Sequence, residues 1–357
     1  MADHKPAGPK TPWWHPARFG LRQSRLEARA RIAKAVRGYF DGQDFLEVET
    51  PALQVSPGLE PHLRAVSATL HEPFSGGQTL YLHTSPEFAM KKLLAAGLPR
   101  IFQLAHAYRD GERSALHHPE FTMLEWYRAT DGIEPVISDC VKIVQAAAQA
   151  AGVETFARNG VACNPFADWE RLTVAEAFAR DAGIDLFAAM DDPADPDPAK
   201  IKSEARRIGV AVGESDRFED VFFRILLARI EPNLGRGRPT VLYDYPLFQA
   251  ALARPKPNEP RVAERFEIYV CGVELANGCA ELTDAVEQRR RFEHDIALKQ
   301  RLYGVQYPRD EDFLAALDHG LPDCAGVAMG FDRLAMLATG AESIEDVLWA
   351  PVAGPKT

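Results

Sequence analysis

The segment Ala325-Gly-Val-Ala-Met-Gly-Phe-Asp-Arg333-Leu334 runs a stretch of small residues straight into a helix that carries an arginine in its first turn. Alternation along a strand puts Gly326, Ala328 and Gly330 on one face and strips that face of bulk. Arg333 falls where helix-terminal N–H groups already favour an anion. A flat base and a triphosphate fit such a surface. A glycine-tolerant core strand beside a surface arginine would read the same way, so this segment alone leaves the choice open.

Two further constellations bear on it. In Phe121-Thr-Met-Leu-Glu125-Trp-Tyr127 a period of two groups Phe121, Met123, Glu125 and Tyr127, so a ring, an acid and a phenol line one surface. Just upstream, Arg109, Glu112 and His118 surround a loop containing Gly111, as a nucleotide lid requires, although a solvated charged hairpin would look similar. His117 and His118 do not make a metal site, because adjacent side chains point apart and no third ligand has useful spacing. The stretch Arg265 to Glu281 reads as a hairpin. With Cys271-Gly272 as its turn, Val270 faces Val273, Tyr269 faces Glu274, and Glu267 becomes the diagonal same-face neighbour of Glu274. Two converging carboxylates suit a divalent cation, and Mg²⁺ bridging phosphates uses only one or two protein carboxylates. Exposed edge-strand acids are the alternative. Asn277 and Glu281 follow, where they could orient a polar substrate and neutralise a cationic group, or be satisfied by solvent.

These residues need a sheet to hold them. An amphipathic helix is expected from about Ser24, with Leu26, Ile32, Val36 and Phe40 on its buried side. Short strands follow near Phe45–Val48, Tyr81–His83, Ile101–Leu104 and Phe121–Tyr127. Residues 134–231 are Ala-rich with helical periodicity, broken by the Pro-containing loop from Asp191 to Pro198, and read as a helical insertion. From Val241 strands return. Residues 1–20 carry four prolines and no periodicity, so a flexible tail is expected there, followed by one catalytic domain over 21–357.

The 357 residues are 46% hydrophobic and carry a formal net charge of -10, enough for a large core and unsuited to a surface that clamps a long nucleic-acid backbone. Five cysteines include no C-x-x-C pair, which supports neither a disulfide framework nor a zinc ribbon. No apolar run is long enough for a membrane span and no secretory leader is visible, so a cytoplasmic protein is expected.

Three segments together resemble the motifs of class II aminoacyl-tRNA synthetases: Phe45-Leu-Glu-Val-Glu-Thr-Pro51, then Tyr108-Arg109 through His-His-Pro-Glu-Phe121-Thr-Met-Leu-Glu125, then Gly326 through Arg333. The closest subgroup is the lysyl-tRNA synthetases, and within it the short paralogues that lysylate elongation factor P. Thr84-Ser-Pro-Glu-Phe88, Val262-Ala-Glu-Arg-Phe-Glu267, Glu274-Leu-Ala-Asn-Gly278 and Glu281-Leu-Thr-Asp284 are similar to that group. The resemblance spans roughly Ser24 to Trp349. It implies an α+β fold, a mainly antiparallel sheet flanked by helices with a helical insertion, and a ligase that makes an aminoacyl-adenylate from ATP.

Site residues follow from the matched positions. The resemblance implies that Arg109 grips the α-phosphate, that Phe121 stacks on adenine, and that Arg333 completes the sandwich and holds the γ-phosphate; these two arginines are the expected catalytic residues. Asp110, Gly111, Glu112, His118, Glu274, Leu275 and Gly330 complete the expected ATP-binding set. Glu267 and Glu274 are expected to hold Mg²⁺. Glu87, with Ser85 beside it, is expected to take an amino group near the reacting carboxylate, and Glu125, Tyr127, Asn277 and Glu281 the distal ammonium. The chain departs from the family at several places: Gly111 stands where an acid is usual, Ala115 where an arginine often sits, His118 at a common asparagine, and Cys279 and Ala280 at bulkier residues. Ala328 stands at a position that is normally glycine, and its methyl group is expected to crowd α-lysine more than β-lysine.

About twenty residues precede the first expected helix, too few for the five-stranded anticodon-binding barrel of a lysyl-tRNA synthetase. The expected acceptor is therefore a lysine amine on elongation factor P, with lysine or β-lysine as donor and tRNA binding disfavoured. Pro51 in the first motif implies a homodimer.

Overall fold

The computed structural model describes residues 11–74, 76–193 and 195–353. Its centre is a nine-stranded sheet. The strands are β1 (Leu46–Glu47), β2 (Arg100–Tyr108), β3 (Glu120–Ala129), β4 (Glu170–Thr173), β5 (Thr240–Pro246), β6 (Pro255–Lys256), β7 (Glu259–Val270), β8 (Val273–Ala280) and β9 (Cys324–Gly330). Their spatial order is β1-β2-β3-β9-β8-β7-β5-β4, with β6 pairing β7 outside this path. The pairs β1/β2 and β4/β5 are parallel and the others antiparallel, so the expected α+β fold with a mainly antiparallel sheet is what forms.

Helices accompany the sheet: α1 (Gln23–Asp41), α2 (Glu87–Ala95), α3 (Ile133–Ala151), α4 (Phe218–Ile225), α5 (Ala285–Tyr303), α6 (Glu311–Gly320) and α7 (Phe331–Ala338), among other helices and turns. On one face, Ile32, Val36 and Phe40 of α1, Val136, Ile143 and Val144 of α3 and Leu334 and Met336 of α7 pack on Leu124, Trp126, Val327 and Met329. Alternation sends the intervening residues, including Glu125, Tyr127, Gly326 and Ala328, to the opposite face. On that face Tyr127 packs with Phe88 and Met90 of α2, Phe292 of α5 and Phe313 of α6, beside a cleft lined by residues that include Glu60, Ser85 and Glu87.

A buried polar link ties the first helix to the last. Arg29 of α1, 7% exposed, pairs with Asp332 of α7 and donates to Thr122 Oγ1 at 2.9 Å, and Asp332 Oδ2 accepts the Thr122 amide at 2.7 Å. Charge-assisted bonds of this kind hold helix, strand and helix in one register.

Two expectations are corrected. The tail does not run unstructured to residue 20: residues 1–10 lie outside the described residues, but Pro16–Phe19 forms a helical turn, capped by His15, with proline at its start where a missing N–H costs nothing. Residues 134–231 are not one helical insertion. α3 belongs to the main core because its apolar stripe from Val136 to Ala148 is buried there, and β4 joins the edge of the main sheet; only the helices between Val174 and Asn233 form a separate cluster, around Phe178, Val221 and Phe222. The hairpin β7/β8 turns at Cys271-Gly272 as expected, with φ of 55° and 70°, a mirror-type turn that suits strand twist. A bulge then leaves Leu275 unpaired, and Glu267 lies directly opposite Asn277.

Candidate active site

The acid-rich end of the cleft is assembled by four elements. Ser85 sits in the turn before α2; its Oγ donates to Glu125 Oε2 at 2.7 Å and accepts the Glu87 amide at 3.1 Å. Tyr127 donates to Glu125 Oε1 at 2.5 Å. Glu125 is 1% exposed, and burial, reinforced by the Glu87 charge, pushes its pKa up to about 8 against the Tyr127 and Ser85 hydrogen bonds. Glu281, just beyond β8, pairs with Lys91 of α2 at 2.5 Å. Burial lifts its pKa to about 7, opposed by the Lys91 charge and reinforced by Glu87. Ala328 stands opposite Glu125 on one side and Asn277 on the other. Asn277 Oδ1 accepts from Arg265 Nε at 3.2 Å.

Gly326 is the position where this floor tolerates no side chain. A Cβ there would lie 2.2 Å from the Tyr127 ring and 2.9 Å from Glu281 Oε1. The bare face thus seats a tyrosine ring and an acid.

The other end of the cleft carries the fixed cations. The Arg109 guanidinium lies over the Phe121 ring at 5.1 Å, and its Nε is buried without a partner among the described residues. Arg333 donates to the Glu274 carbonyl at 2.8 Å and contacts His117 Nε2 at 2.9 Å. Burial and the Arg333 charge lower the His117 pKa, so this imidazole is held neutral beside the arginine. Gly330 caps α7, and a Cβ there would meet the Arg333 side chain at 3.4 Å.

Not every candidate reaches this space as a free side chain. Asp110 pairs with Arg64 at 3.1 Å, and Gly111, with φ of 81°, shapes the loop rather than presenting a group. Glu112 acts electrostatically on His117. His118 is 2% exposed with both ring nitrogens engaged by backbone groups, Nδ1 with the Glu120 carbonyl and Nε2 accepting the Val352 amide. The imidazole beside Arg333 is therefore His117. The Leu275 side chain is buried in the core, which leaves only its backbone for a nucleotide.

Burial lifts the pKa of Glu267, one of the two acids proposed for a metal, and the charge of the other, Glu274, adds to it. Glu267 is held by Arg265 at 2.5 Å and by the Tyr269 hydroxyl at 2.6 Å, whereas the Glu274 side chain is 40% exposed. Among the described residues no group of three or more His, Cys, Asp or Glu side chains is arranged to hold a metal ion. Two carboxylates of hard oxygen donors do fit a Mg²⁺ that takes its remaining ligands from phosphates and water.

Sequence reasoning missed Lys91, Glu60 and Glu231. Glu60 lines the cleft with Ser85 and Glu87, and its Oε2 is buried without a partner among the described residues. Glu231, lifted to about 7 by burial and by Glu274 and Glu267, lies across from the proposed metal acids. Lys91 was the findable one, because it follows Glu87 by one helical turn.

A large antiparallel sheet floored with small residues, an arginine stacked on a phenylalanine and a second arginine opening a helix define a class II synthetase catalytic fold. Residues 17–353 match the family described as tRNA synthetases class II (D, K and N), and the chain belongs to it. Among curated relatives, the chain is 40% identical over 326 residues to an elongation factor P--(R)-beta-lysine ligase of Klebsiella pneumoniae, covering 90% of this chain and 93% of that one. Proteins of the same name from Pectobacterium atrosepticum, 40% identical over 95% of this chain and 97% of the relative, and Haemophilus ducreyi, 40% identical over 90% and 92%, are similar to it as well.

Proposed function

We propose that this chain activates lysine or (R)-β-lysine with ATP and transfers the aminoacyl group to a lysine side chain of elongation factor P. The observation that carries the reading is the cleft itself: two buried carboxylates, Glu125 and Glu281, with the half-buried Glu87 beside them at one end, and Arg109 and Arg333 at the other.

A diamino acid enters with its ammonium groups toward the acids. Glu125, kept in place by Ser85 and Tyr127, and Glu281 receive the distal ammonium, with Asn277 beside them; Glu87 receives the amino group nearer the carboxylate. The substrate carboxylate then attacks the α-phosphorus of ATP. One P–O bond forms, the bond to the bridging oxygen breaks, and pyrophosphate leaves. No side-chain nucleophile is required. Arg109 at the α-phosphate and Arg333 at the γ-phosphate offset the charge spread over the reacting phosphates, and Phe121 supports the adenine. Mg²⁺ held by Glu267 and Glu274 would add charge neutralisation at the phosphates. In the second half-reaction an acceptor lysine amine attacks the activated carbonyl, a C–N bond forms, and AMP leaves as the amine gives up a proton.

The acceptor and the assembly are part of the same reading. Net charge -10 disfavours a tRNA backbone as the acceptor's main recognition feature. A homodimer built on the Pro51 segment and a cytoplasmic location accompany the proposal; among the described residues no helix is long and apolar enough to cross a membrane. Lysine-dependent ATP–pyrophosphate exchange tests the first half, and no exchange with either α- or β-lysine would overturn it. Intact-mass measurement of elongation factor P after incubation tests the second; label found on tRNA alone would overturn the acceptor.

A further inference from the structure

Lys91 is the resident cation in a pocket otherwise made of acids. It follows Glu87 by four residues on α2, so both side chains leave the same helix face. Its side chain is 2% exposed, and lysines are almost never buried so deeply unless paired. The ammonium contacts Glu87 Oε1 and lies 2.5 Å from Glu281 Oε2. Burial works against its charge, but Glu281 and Glu87 outweigh that and hold it protonated.

The division of oxygens is informative. Glu281 gives Oε2 to Lys91 and to the Cys279 thiol, while its Oε1 lies 2.9 Å from where a Gly326 Cβ would stand, on the bare floor. Glu87 gives Oε1 to Lys91 and leaves Oε2 without a hydrogen bond among the described residues. Each carboxylate therefore commits one oxygen to the lysine and offers the other to the cleft. Glu125, whose oxygens accept from Ser85 and Tyr127, adds a third carboxylate. Burial and the Glu87 charge raise the pKa of the neighbouring Glu60, against the opposing charges of Arg109 and Lys299.

We propose that Lys91 is a positioning residue that aims Glu87 and Glu281 and sets the pocket's charge, so that three carboxylates less one fixed ammonium match a substrate with two ammonium groups. The inference rests on the diamino-acid reading above and adds the residue that enforces it. A monoamino acid leaves one buried carboxylate unmatched, which is costly in a site this dry.

The test is lysine-dependent ATP–pyrophosphate exchange across pH 6–9 with wild type, K91M and K91R. K91M should raise the lysine KM at least about tenfold with the ATP KM nearly unchanged, and shift the acid limb of lysine kcat/KM to higher pH, because Glu281 loses the cation that opposes its raised pKa. K91R should restore much of both. Folded K91M with wild-type lysine KM and acid limb would overturn the proposal, as would a lower KM, which would make Lys91 a plug that competes with substrate. If K91M does not fold, K91M/E87Q is compared with E87Q: a lysine KM at least about threefold higher in the double variant supports the role through Glu281, and equal values overturn it. Wild-type exchange with neither α- nor β-lysine would refute the diamino-acid reading itself, separately from the role of Lys91.

Discussion

Gly326→Ala is the smallest perturbation that should disable the amino-acid end of the cleft. The added Cβ would stand 2.2 and 2.3 Å from Cε1 and Cδ1 of Tyr127, and 2.9 Å from Glu281 Oε1. Carbon atoms rest at about 3.5–4.0 Å, so the ring must retreat by about 1.3 Å or the strand must move. Tyr127 is 3% exposed and packed with Phe88, Met90 and Phe292, so there is no free space to receive it. Overpacking of this kind costs about 1–3 kcal/mol. A displacement of about 1 Å in a positioning group costs roughly 100-fold in rate. Because the Tyr127 hydroxyl holds Glu125, the loss should fall on lysine kcat/KM, with the ATP KM changed little. The assay is pyrophosphate exchange at varied lysine and varied ATP, with a thermal melt alongside. A variant that melts like wild type and keeps its lysine kcat/KM would refute the reasoning, since the ring would then have moved without cost.

Arg333→Ala should lower exchange by roughly 100-fold or more, because a fixed cation at the phosphates is lost; near-normal exchange would remove it from the mechanism. Glu281→Gln should raise the lysine KM while leaving the ATP KM, and an unchanged lysine KM would show that another group holds the ammonium. In wild type, lysine kcat/KM should fall as pH drops through about 8 and then about 7, because Glu125 and Glu281 take up protons there and stop attracting an ammonium; a profile flat down to pH 6 would contradict this. Ala328→Gly should favour α-lysine over β-lysine by roughly 10-fold, the worth of one methyl group in a tight pocket, and an unchanged ratio would exclude Ala328 as selector.

Much of this site was legible because it lies on strands, where a period of two fixes which side chains share a face. Glu125 with Tyr127, and Gly326 with Ala328, could each be grouped within its own strand from spacing alone, and the Cys271-Gly272 turn set the hairpin. The bulge at Leu275 was not visible, since nothing local distinguishes an unpaired residue from a paired one. The loop between Arg109 and Phe121 was harder still. Adjacent histidines carry equal chemistry in sequence, and only long-range contacts, Arg333 for His117 and Val352 for His118, separate them. The roles of α3 and β4 were hidden for a similar reason: helical periodicity reports an apolar stripe and not which core receives it. Lys91 went unassigned because a lysine in an amphipathic helix ordinarily faces water.

The sheet order has a consequence for how the chain is made. β9, whose last residue is Gly330, lies between β3 and β8, so the final strand to be synthesised closes the middle of the sheet. After β3 ends at Ala129, about 200 further residues must emerge, on the order of 10–40 s at ordinary translation speeds, before that edge finds its partner. During this interval β3 and later β8 each present an open hydrogen-bonding edge, and α1 lacks the Asp332 that its buried Arg29 needs. A ribosome stalled short of Cys324 would hold two half-sheets with facing apolar strands and no wedge between them, an arrangement prone to pairing with a neighbouring nascent chain.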